Sequence, residues 1–403
     1  MTDDTKAAST NGWAPLTVTL AIQAMVAMAL LTLPAMAPKV AEAMATSPAL
    51  VGIYIALAYV GAMVASLVSG AAVARYGPIR VSQLGLVACA AGLVLCAVPN
   101  FWCMGAGALL VGLGYGPITP ASSHLLSRTT PAHRMSLVFS VKQTGVPLGA
   151  GLAGAIVPSL QLVAGWQAAL LAVAAANVLC AIVSQPLRAK FDADRDRTRR
   201  MAPGNVLHPV QMVLSHAGLR MLAGCSFLFS IAQLSLTTYV VTFLTQSLAY
   251  GLVAAGALLT VSQVGAVLGR VAWGYASDRW FGARRMLAML AALMALSTLA
   301  TAALQHSAPN LVVAGVLFVF GACAVGWNGV YLAEVARQAP AGLAGLATGG
   351  TLAITFLGVV LGPPLFGGVS SLFGSYRAGF AALALPLAVC AMALMRKPVA
   401  SPS

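Results

Sequence analysis

Apolar residues fill most of the chain in long runs that short polar breaks separate. A helix that crosses the hydrocarbon core of a bilayer needs about 20 predominantly apolar residues, and roughly twelve runs here reach that length. The pattern therefore predicts an all-α membrane protein with twelve transmembrane helices. We place the spans at 15–36, 48–72, 81–99, 102–124, 136–160, 166–187, 218–246, 251–275, 285–304, 309–331, 344–368 and 376–395.

The composition agrees with a membrane protein and excludes an ordinary soluble globule. Of the 403 residues, 60% are hydrophobic and 7% are charged, whereas soluble domains carry roughly 25% charged residues. The seven cysteines lie in or at the edges of apolar runs without a C-x-x-C pair, which is typical of small buried hydrophobic residues. The chain has no phosphate-binding G-x-x-x-x-G-K-[ST] loop. We therefore expect neither an enzyme nor a bound cofactor or metal.

The net charge of +14 is explained by its placement in the predicted topology. Of 22 Lys and Arg residues, 18 fall in the termini and in alternate loops, and only Lys39 and Arg377 fall on the opposite side. Positive residues concentrate on the cytoplasmic side of membrane proteins, where they contact anionic lipid headgroups. The sequence predicts a multi-pass protein of the bacterial inner membrane with both termini cytoplasmic, and it makes nucleic-acid binding an unnecessary explanation.

The longest polar break, Leu187 to Gly218, divides the spans six and six. We predict an N-terminal six-helix bundle over 1–187, a cytoplasmic linker over 188–217 and a C-terminal six-helix bundle over 218–403. The charges of this linker are expected to be solvated or to lie at lipid headgroups. A sensor that signals through a partner is a further alternative, but it would need a soluble output segment larger than this linker.

The loops after the second and eighth spans repeat one pattern. The first copy contains Gly70, Arg75, Gly77 and Arg80, and the second contains Gly274, Asp278, Arg279, Gly282, Arg284 and Arg285. This pattern resembles the G-x-x-x-D-R-x-G-R-[RK] signature of the major facilitator superfamily, and the resemblance in span count and loop placement covers nearly the whole chain. Parallel repeats of this kind relate the two halves of such transporters. Ala74 stands where the first copy would have its aspartate.

The resemblance implies a role for these loops in bracing the two halves when the cytoplasmic side is closed. Asp278 would latch onto the start of a neighbouring span, because helix N-termini favour anions. The arginines of the loop would hold it at the anionic inner leaflet. The alanine at position 74 would leave the other latch weaker. Topological anchoring without a latch is the alternative.

Lys142 and Arg270 stand alone within apolar spans. A charge in hydrocarbon is expensive and marks a substrate or ion path. Arg270 precedes Asp278 by eight residues and therefore lies about 12 Å deeper, and Lys142 follows Arg134 by the same number. Two cations at similar depth, with no acid near either in sequence, favour an anionic substrate.

The resemblance also places the fifth and eighth spans against each other across the two halves. An Arg four residues before the loop glycine, as Arg270 is before Gly274, resembles the monocarboxylate transporters and oxalate/formate exchangers, in which that Arg holds the substrate carboxylate. We predict that Arg270 binds the anion and that Lys142 assists. The remaining predicted lining residues are Gln263, Gln143, Gln23, Tyr115, Gln233, Trp327 and Asn328. Gly145, Pro147, Gly149 and Gly151 are interpreted as packing and bending residues of the fifth span.

These features predict a secondary transporter of a small organic anion, a carboxylate, that works by alternating access as a monomer. Symport and antiport both remain open, and protons as the coupling ion would require a titrating group, which the carboxyl of the substrate or Lys142 could supply. Arg270 has an alternative structural role, in which it bonds backbone carbonyls or the latch aspartate. Export of hydrophobic or zwitterionic compounds is therefore the alternative function. Cationic drugs are disfavoured, because each contact with a cation would oppose them by roughly 4 kcal/mol.

Overall fold

A computed structural model describes residues 13–45, 51–196 and 207–395, and within these ranges the regular structure is entirely helical. The two termini, which were predicted to be cytoplasmic, lie outside the described residues. The helices are α1 (Trp13–Ala35), α2 (Ala37–Ala43), α3 (Val51–Tyr76), α4 (Pro78–Cys96), α5 (Phe101–Tyr115), α6 (Ile118–Thr129), α7 (Met135–Gln143), α8 (Gly145–Val183), α9 (Arg188–Phe191), α10 (His208–Ser215), α11 (Ala217–Ser247), α12 (Leu252–Ala276), α13 (Ala283–Ala303), α14 (Asn310–Ala324), α15 (Asn328–Gln338), α16 (Ala344–Leu372) and α17 (Tyr376–Met395).

The described residues contain eleven helical segments that are long and apolar enough to cross a membrane. One of them, Ala132–Phe191, is 60 residues long and holds two spans, because Gly165 interrupts α8 with a φ of +86°. This left-handed conformation is one that glycine adopts readily. The prediction of an all-α membrane fold with twelve spans is thereby confirmed.

Three of the predicted continuous spans are instead built from two helices. The fourth span breaks between α5 and α6, the fifth between α7 and α8, and the tenth between α14 and α15. Membrane helices tolerate such breaks where neighbouring helices or a cavity satisfy the freed backbone groups. The apolar pattern runs through each break without a change, so hydropathy alone could not locate them.

The helices pack into two groups that contact each other toward one end. In the first half, α1 packs on α8 and α4 packs on α5, and in the second half α13 packs on α17 and α11 packs on α16. Between the halves, α3 contacts α16, while α7 contacts both α12 and α15. We call the end that carries the repeated loops, with Arg75 and Arg279, the basic face. At this face the halves touch closely, since a Cβ on Gly329 would lie 2.2 Å from the Cα of Ser140.

The start of the linker folds onto the first half instead of extending into solvent. The carboxylate of Asp192 is fully buried and accepts hydrogen bonds from the backbone N–H groups of Ile79, at 2.8 Å, and Arg80, at 3.1 Å. Burial raises the pKa of this carboxyl, and the two amide bonds offset only part of that effect. The expectation of solvated or headgroup-bound linker charges was therefore wrong for Asp192. It acts as the N-terminal cap of α4, where an anion is favoured.

Candidate functional site

Lys142 lies near the end of α7 with 1% of its surface exposed. Its ammonium donates hydrogen bonds to the side-chain oxygens of Gln23 at 2.7 Å, Gln143 at 3.0 Å and Thr119 at 3.3 Å. An ammonium group carries three donors, so all three are used. These partners are neutral, and no carboxylate of the described residues forms a salt bridge with Lys142.

Arg270 lies on α12 of the other half and is 3% exposed. One terminal nitrogen of its guanidinium donates to the backbone carbonyl of Gln143, and its Nε has no partner among the described residues. The structural alternative for Arg270 named two partners, a backbone carbonyl and the latch aspartate Asp278. Arg270 contacts a backbone carbonyl, that of Gln143, and it forms no salt bridge with Asp278. Arg270 and Lys142 are close enough to interact electrostatically, and both contact Gln143.

An aromatic cluster adjoins this pair of cations through Tyr115. Tyr115 interacts electrostatically with Arg270 and lies next to Gln23. Tyr115 also packs against the cluster around Phe356, whose ring centroid is 5.7 Å from that of Tyr59. Through Tyr115 the site adjoins a cluster of rings from both halves, which we call its apolar wall.

The other predicted lining residues form a second polar group on the C-terminal half. The side-chain oxygen of Gln233 accepts hydrogen bonds from Trp327 at 3.2 Å and from Asn328 at 3.4 Å. Gln263 is half-buried on α12 and has no hydrogen-bond partner among the residues that the structure describes. Sequence reasoning missed Thr119, although its position four residues after Tyr115 on the fourth span was a signal for a shared face.

The repeated loop of the second half contacts the first half through Asp278. Its carboxylate accepts hydrogen bonds from the backbone N–H groups of Ser136, at 3.1 Å, and Leu137, at 2.7 Å, at the start of α7. Arg337 donates to the same carboxylate at 2.9 Å. The contact is the one that the resemblance implied, an aspartate at the N-terminus of a neighbouring helix.

The other predicted loop residues have varied surroundings. Arg279, Gly282 and Arg285 are exposed, and Arg284 donates to the carbonyl of Leu394 at 2.9 Å. In the first copy, Gly70 lies against Leu346 of the other half, with 2.6 Å between its ideal Cβ position and the Cα of Leu346. Arg75 lies over the ring of Tyr76, Gly77 has a φ of +90° against Asp192, and Arg80 donates to Gln83. Residue 74 is an alanine, so the first copy of the loop has no carboxylate at the position that corresponds to Asp278.

The architecture and the buried polar site define a multi-pass membrane protein of the transporter class. The sequence profile of the Major Facilitator Superfamily matches residues 17–352 and 222–403. The chain belongs to this superfamily, which confirms the predicted family. The transporter names of its relatives also agree with the expectation that it is not an enzyme.

Relatives and solved structures extend the comparison. The chain is 24% identical over 361 residues to an uncharacterized MFS-type transporter of Mycobacterium tuberculosis, covering 88% of this chain and 78% of the relative. It is 28% identical over 325 residues to the gentisate transporter of Corynebacterium glutamicum, covering 75% and 70%. The fucose:proton symporter of E. coli has the same fold, with a TM-score of 0.74, 16% identity, and coverage of 96% of this chain and 100% of the symporter.

Proposed function

We propose that this protein is a secondary transporter that moves a small organic anion, a carboxylate, across the bacterial inner membrane. One observation carries the proposal: two buried cations from opposite halves, Lys142 and Arg270, meet at Gln143 without a carboxylate partner among the described residues. A planar guanidinium matches the two oxygens of a carboxylate. Two uncompensated positive charges within the membrane region require either an anionic ligand or an unusual cost in desolvation.

The proposed mechanism is alternating access around these cations. Residues 1–187 would rock against 218–403, with the site at their interface. The positive-inside rule orients the basic face toward the cytoplasm, so the close contact at this face corresponds to a state with the cytoplasmic side closed. Arg270 would bind the carboxylate, Lys142 would assist, and the latch at Asp278 would stabilise the closed side.

The substrate that we propose first is an aromatic carboxylate. The ring of Tyr115 near Arg270, together with the rings of Tyr59 and Phe356 in the adjoining cluster, offers an apolar surface on which an aromatic ring can pack. The similarity to the gentisate transporter of Corynebacterium glutamicum supports the same substrate class. A ring on the apolar wall and a carboxylate on the guanidinium would use both features of the site together.

Protons are the proposed coupling ion, and the protein is expected to act as a monomer in a bilayer with anionic headgroups. Coupling requires a group that gains and loses a proton during the cycle. Lys142 is placed for this, because its three hydrogen-bond acceptors are all neutral and its charge is opposed by Arg270. The carboxyl of the substrate is the other group that can carry the proton.

The test is uptake of labelled benzoate, gentisate and short aliphatic carboxylates into proteoliposomes, with and without a pH gradient. Arg270→Ala should reduce uptake about 100-fold, because hydrogen bonds to charged groups contribute about 1.5–3 kcal/mol each. Arg270→Lys should also lose binding, since an ammonium lacks the planar fork. The matched control is Arg220→Ala, which removes an exposed arginine at the start of α11.

Uptake that is equal in the wild type and in Arg270→Ala would contradict the proposal. The cations would then be structural braces, and a dye-resistance panel in overexpressing cells would test the export of hydrophobic or zwitterionic compounds instead.

A further inference from the structure

The backbone carbonyl of Gln143 lacks its ordinary helical partner. In an α-helix the carbonyl of residue i accepts from the N–H of residue i+4, and for Gln143 that residue is Pro147. Proline has no backbone N–H. Gln143 is also the last residue of α7, and α8 begins at Gly145. The break in the fifth span therefore leaves a buried acceptor that needs a donor from elsewhere.

Arg270 supplies that donor from the other half of the molecule. Its guanidinium donates to the freed carbonyl, while the side-chain oxygen of the same Gln143 accepts from Lys142 at 3.0 Å. Both side chains at this contact are buried, with Gln143 6% and Arg270 3% exposed. One residue thus holds both cations, Arg270 through its backbone and Lys142 through its side chain.

We propose that the Gln143 carbonyl is a placeholder for the carboxylate of the substrate. It holds the Arg270 guanidinium in the substrate-free protein and is displaced when an anion binds. The proposal rests on the function proposed above. A carboxylate is the stronger partner because it carries a full charge and two oxygens, and the unpaired Nε of Arg270 offers a second donor to it.

Displacement of the carbonyl would also change the contact between the halves. Gln143 belongs to the first half and Arg270 to the second, so their hydrogen bond is one of the bonds that join the halves at the depth of the site. A ligand shifts a conformational equilibrium only through its different affinity for the two states. An anion that takes Arg270 from Gln143 removes a bond of the closed state, and this links binding to the rocking motion.

The test is Pro147→Ala, which restores the N–H that the Gln143 carbonyl lacks. The carbonyl can then bond within the helix, so Arg270 is released without substrate. Benzoate, as the probe, should bind about tenfold more tightly, because it no longer competes with a hydrogen bond to a charged donor. The control is Pro158→Ala in the same helix α8, which should leave the affinity unchanged.

A second readout needs no ligand. A cysteine placed at Ser69, which is fully buried against Gly349 of the other half, reports separation of the halves by its rate of maleimide labelling. The partly exposed Cys103 and Cys180 are first replaced by serine. Substrate-free Pro147→Ala should label several-fold faster than the parent protein and the Pro158→Ala control.

The outcomes separate this inference from the proposed function. If the wild type binds no organic anion, the proposed function fails, while the labelling rates still test the bond between Gln143 and Arg270. If benzoate binds but Pro147→Ala matches the parent in affinity and labelling, the placeholder is refuted and the function stands. Should Pro147→Ala not fold, the α-hydroxy analogue of Thr144 converts the Gln143 carbonyl into a weaker ester acceptor, with the same expected result.

A separate observation concerns Arg128 and Arg337, which occupy matching positions in the two halves. Arg128 lies 27 residues after Phe101, the first residue of the fourth span, and Arg337 lies 27 residues after Asn310, the first residue of the tenth span. Arg337 pairs with Asp278 of the repeated loop at 2.9 Å. The matching loop of the first half has Ala74 at the position that corresponds to Asp278, so Arg128 cannot form the same pair with its loop.

We infer that the linker supplies the missing carboxylate. Asp194 pairs with Arg128 at 2.5 Å and with His124 at 2.8 Å, and the backbone N–H of Asp196 donates to the carbonyl of Ala74 at 2.9 Å. These contacts hold the linker on the first half beside the loop that has Ala74 in place of an aspartate. The carboxylate of Asp194 pairs with Arg128 in the first half, as the carboxylate of Asp278 pairs with Arg337 in the second half.

Asp194→Asn should release this part of the linker, so limited proteolysis of the linker should become several-fold faster. Adding Ala74→Asp in the same chain should restore the lost thermal stability by pairing Arg128, while the linker remains rapidly cleaved. Glu42→Gln, which removes an exposed carboxylate elsewhere, is the control. Proteolysis at the parent rate in Asp194→Asn, or slow cleavage in the double variant, would overturn the inference.

Discussion

Replacing Asp278 by asparagine tests the contact that closes the basic face. The carboxylate is 8% exposed and accepts two backbone hydrogen bonds from the other half, from Ser136 and Leu137. Asparagine keeps one acceptor oxygen but turns an NH2 group toward the second amide. It also removes the negative charge from the N-terminus of α7.

The expected size of the effect follows from these contacts. A hydrogen bond to a charged group contributes about 1.5–3 kcal/mol, and the interaction of an anion with a helix N-terminus contributes about 0.3–1 kcal/mol. Loss of one bond and of the charge should therefore cost the closed state about 2–4 kcal/mol. Because this contact requires the halves to touch, the cost shifts the equilibrium toward opening of the basic face by about 30- to 700-fold.

The assay is the labelling rate of the Ser69→Cys reporter in the substrate-free protein. We expect Asp278→Asn to label at least tenfold faster than the parent, and to transport more slowly at unchanged abundance in the membrane. Glu42→Gln controls for the loss of a carboxylate that does not lie between the halves. A labelling rate within twofold of the parent would show that the amide contact does not hold the basic face closed.

Two further predictions concern the basic face. Gly329→Ala should open it, since the added methyl would lie 2.2 Å from the backbone of α7, whereas Gly315→Ala, with nothing within 4 Å, should not; labelling of the same reporter compares them. Docking of the linker through Asp194 should weaken in acid. Burial alone would raise the pKa of Asp194. The hydrogen bond to His124 and the charge of Arg128 have the larger combined effect, so the pKa of Asp194 lies below the usual value. Protection from proteolysis should therefore persist above the usual Asp range and be lost as the pH falls through the lowered pKa, and loss at neutral pH would contradict this.

Hydropathy was sufficient for the membrane fold, because each span is a long apolar run whose ends carry polar residues. The predicted eighth span, 251–275, and the observed α12, Leu252–Ala276, differ by one residue at each end. Breaks within spans were not predictable from hydropathy. A break changes which backbone groups are satisfied but leaves the residues around it as apolar as before.

The site was predictable in its residue types but not in its contacts. Lys142 and Arg270 were recognisable because charge is rare in a span, yet their meeting at Gln143 depends on how two helices from different halves are placed. The role of Pro147 was available in the sequence by counting four residues back along the helix, although we interpreted it only as a bending residue. Asp192 was misjudged because its burial depends on the long-range contact with α4, which no local pattern encodes.

The energetics of the substrate-free site explain why an anion, and not a neutral molecule, should drive the cycle. Two unit charges about 4–8 Å apart repel each other by roughly 2–4 kcal/mol at an effective dielectric of 20, and neutral oxygens of Gln143 compensate the two cations only in part. A carboxylate between Lys142 and Arg270 replaces this repulsion with two attractions. A neutral ligand gains less from the charges than a carboxylate does, and it must still displace Arg270 from the Gln143 carbonyl. In the proposed mechanism, selectivity for anions and release of the bond between the halves would therefore arise from the same two side chains.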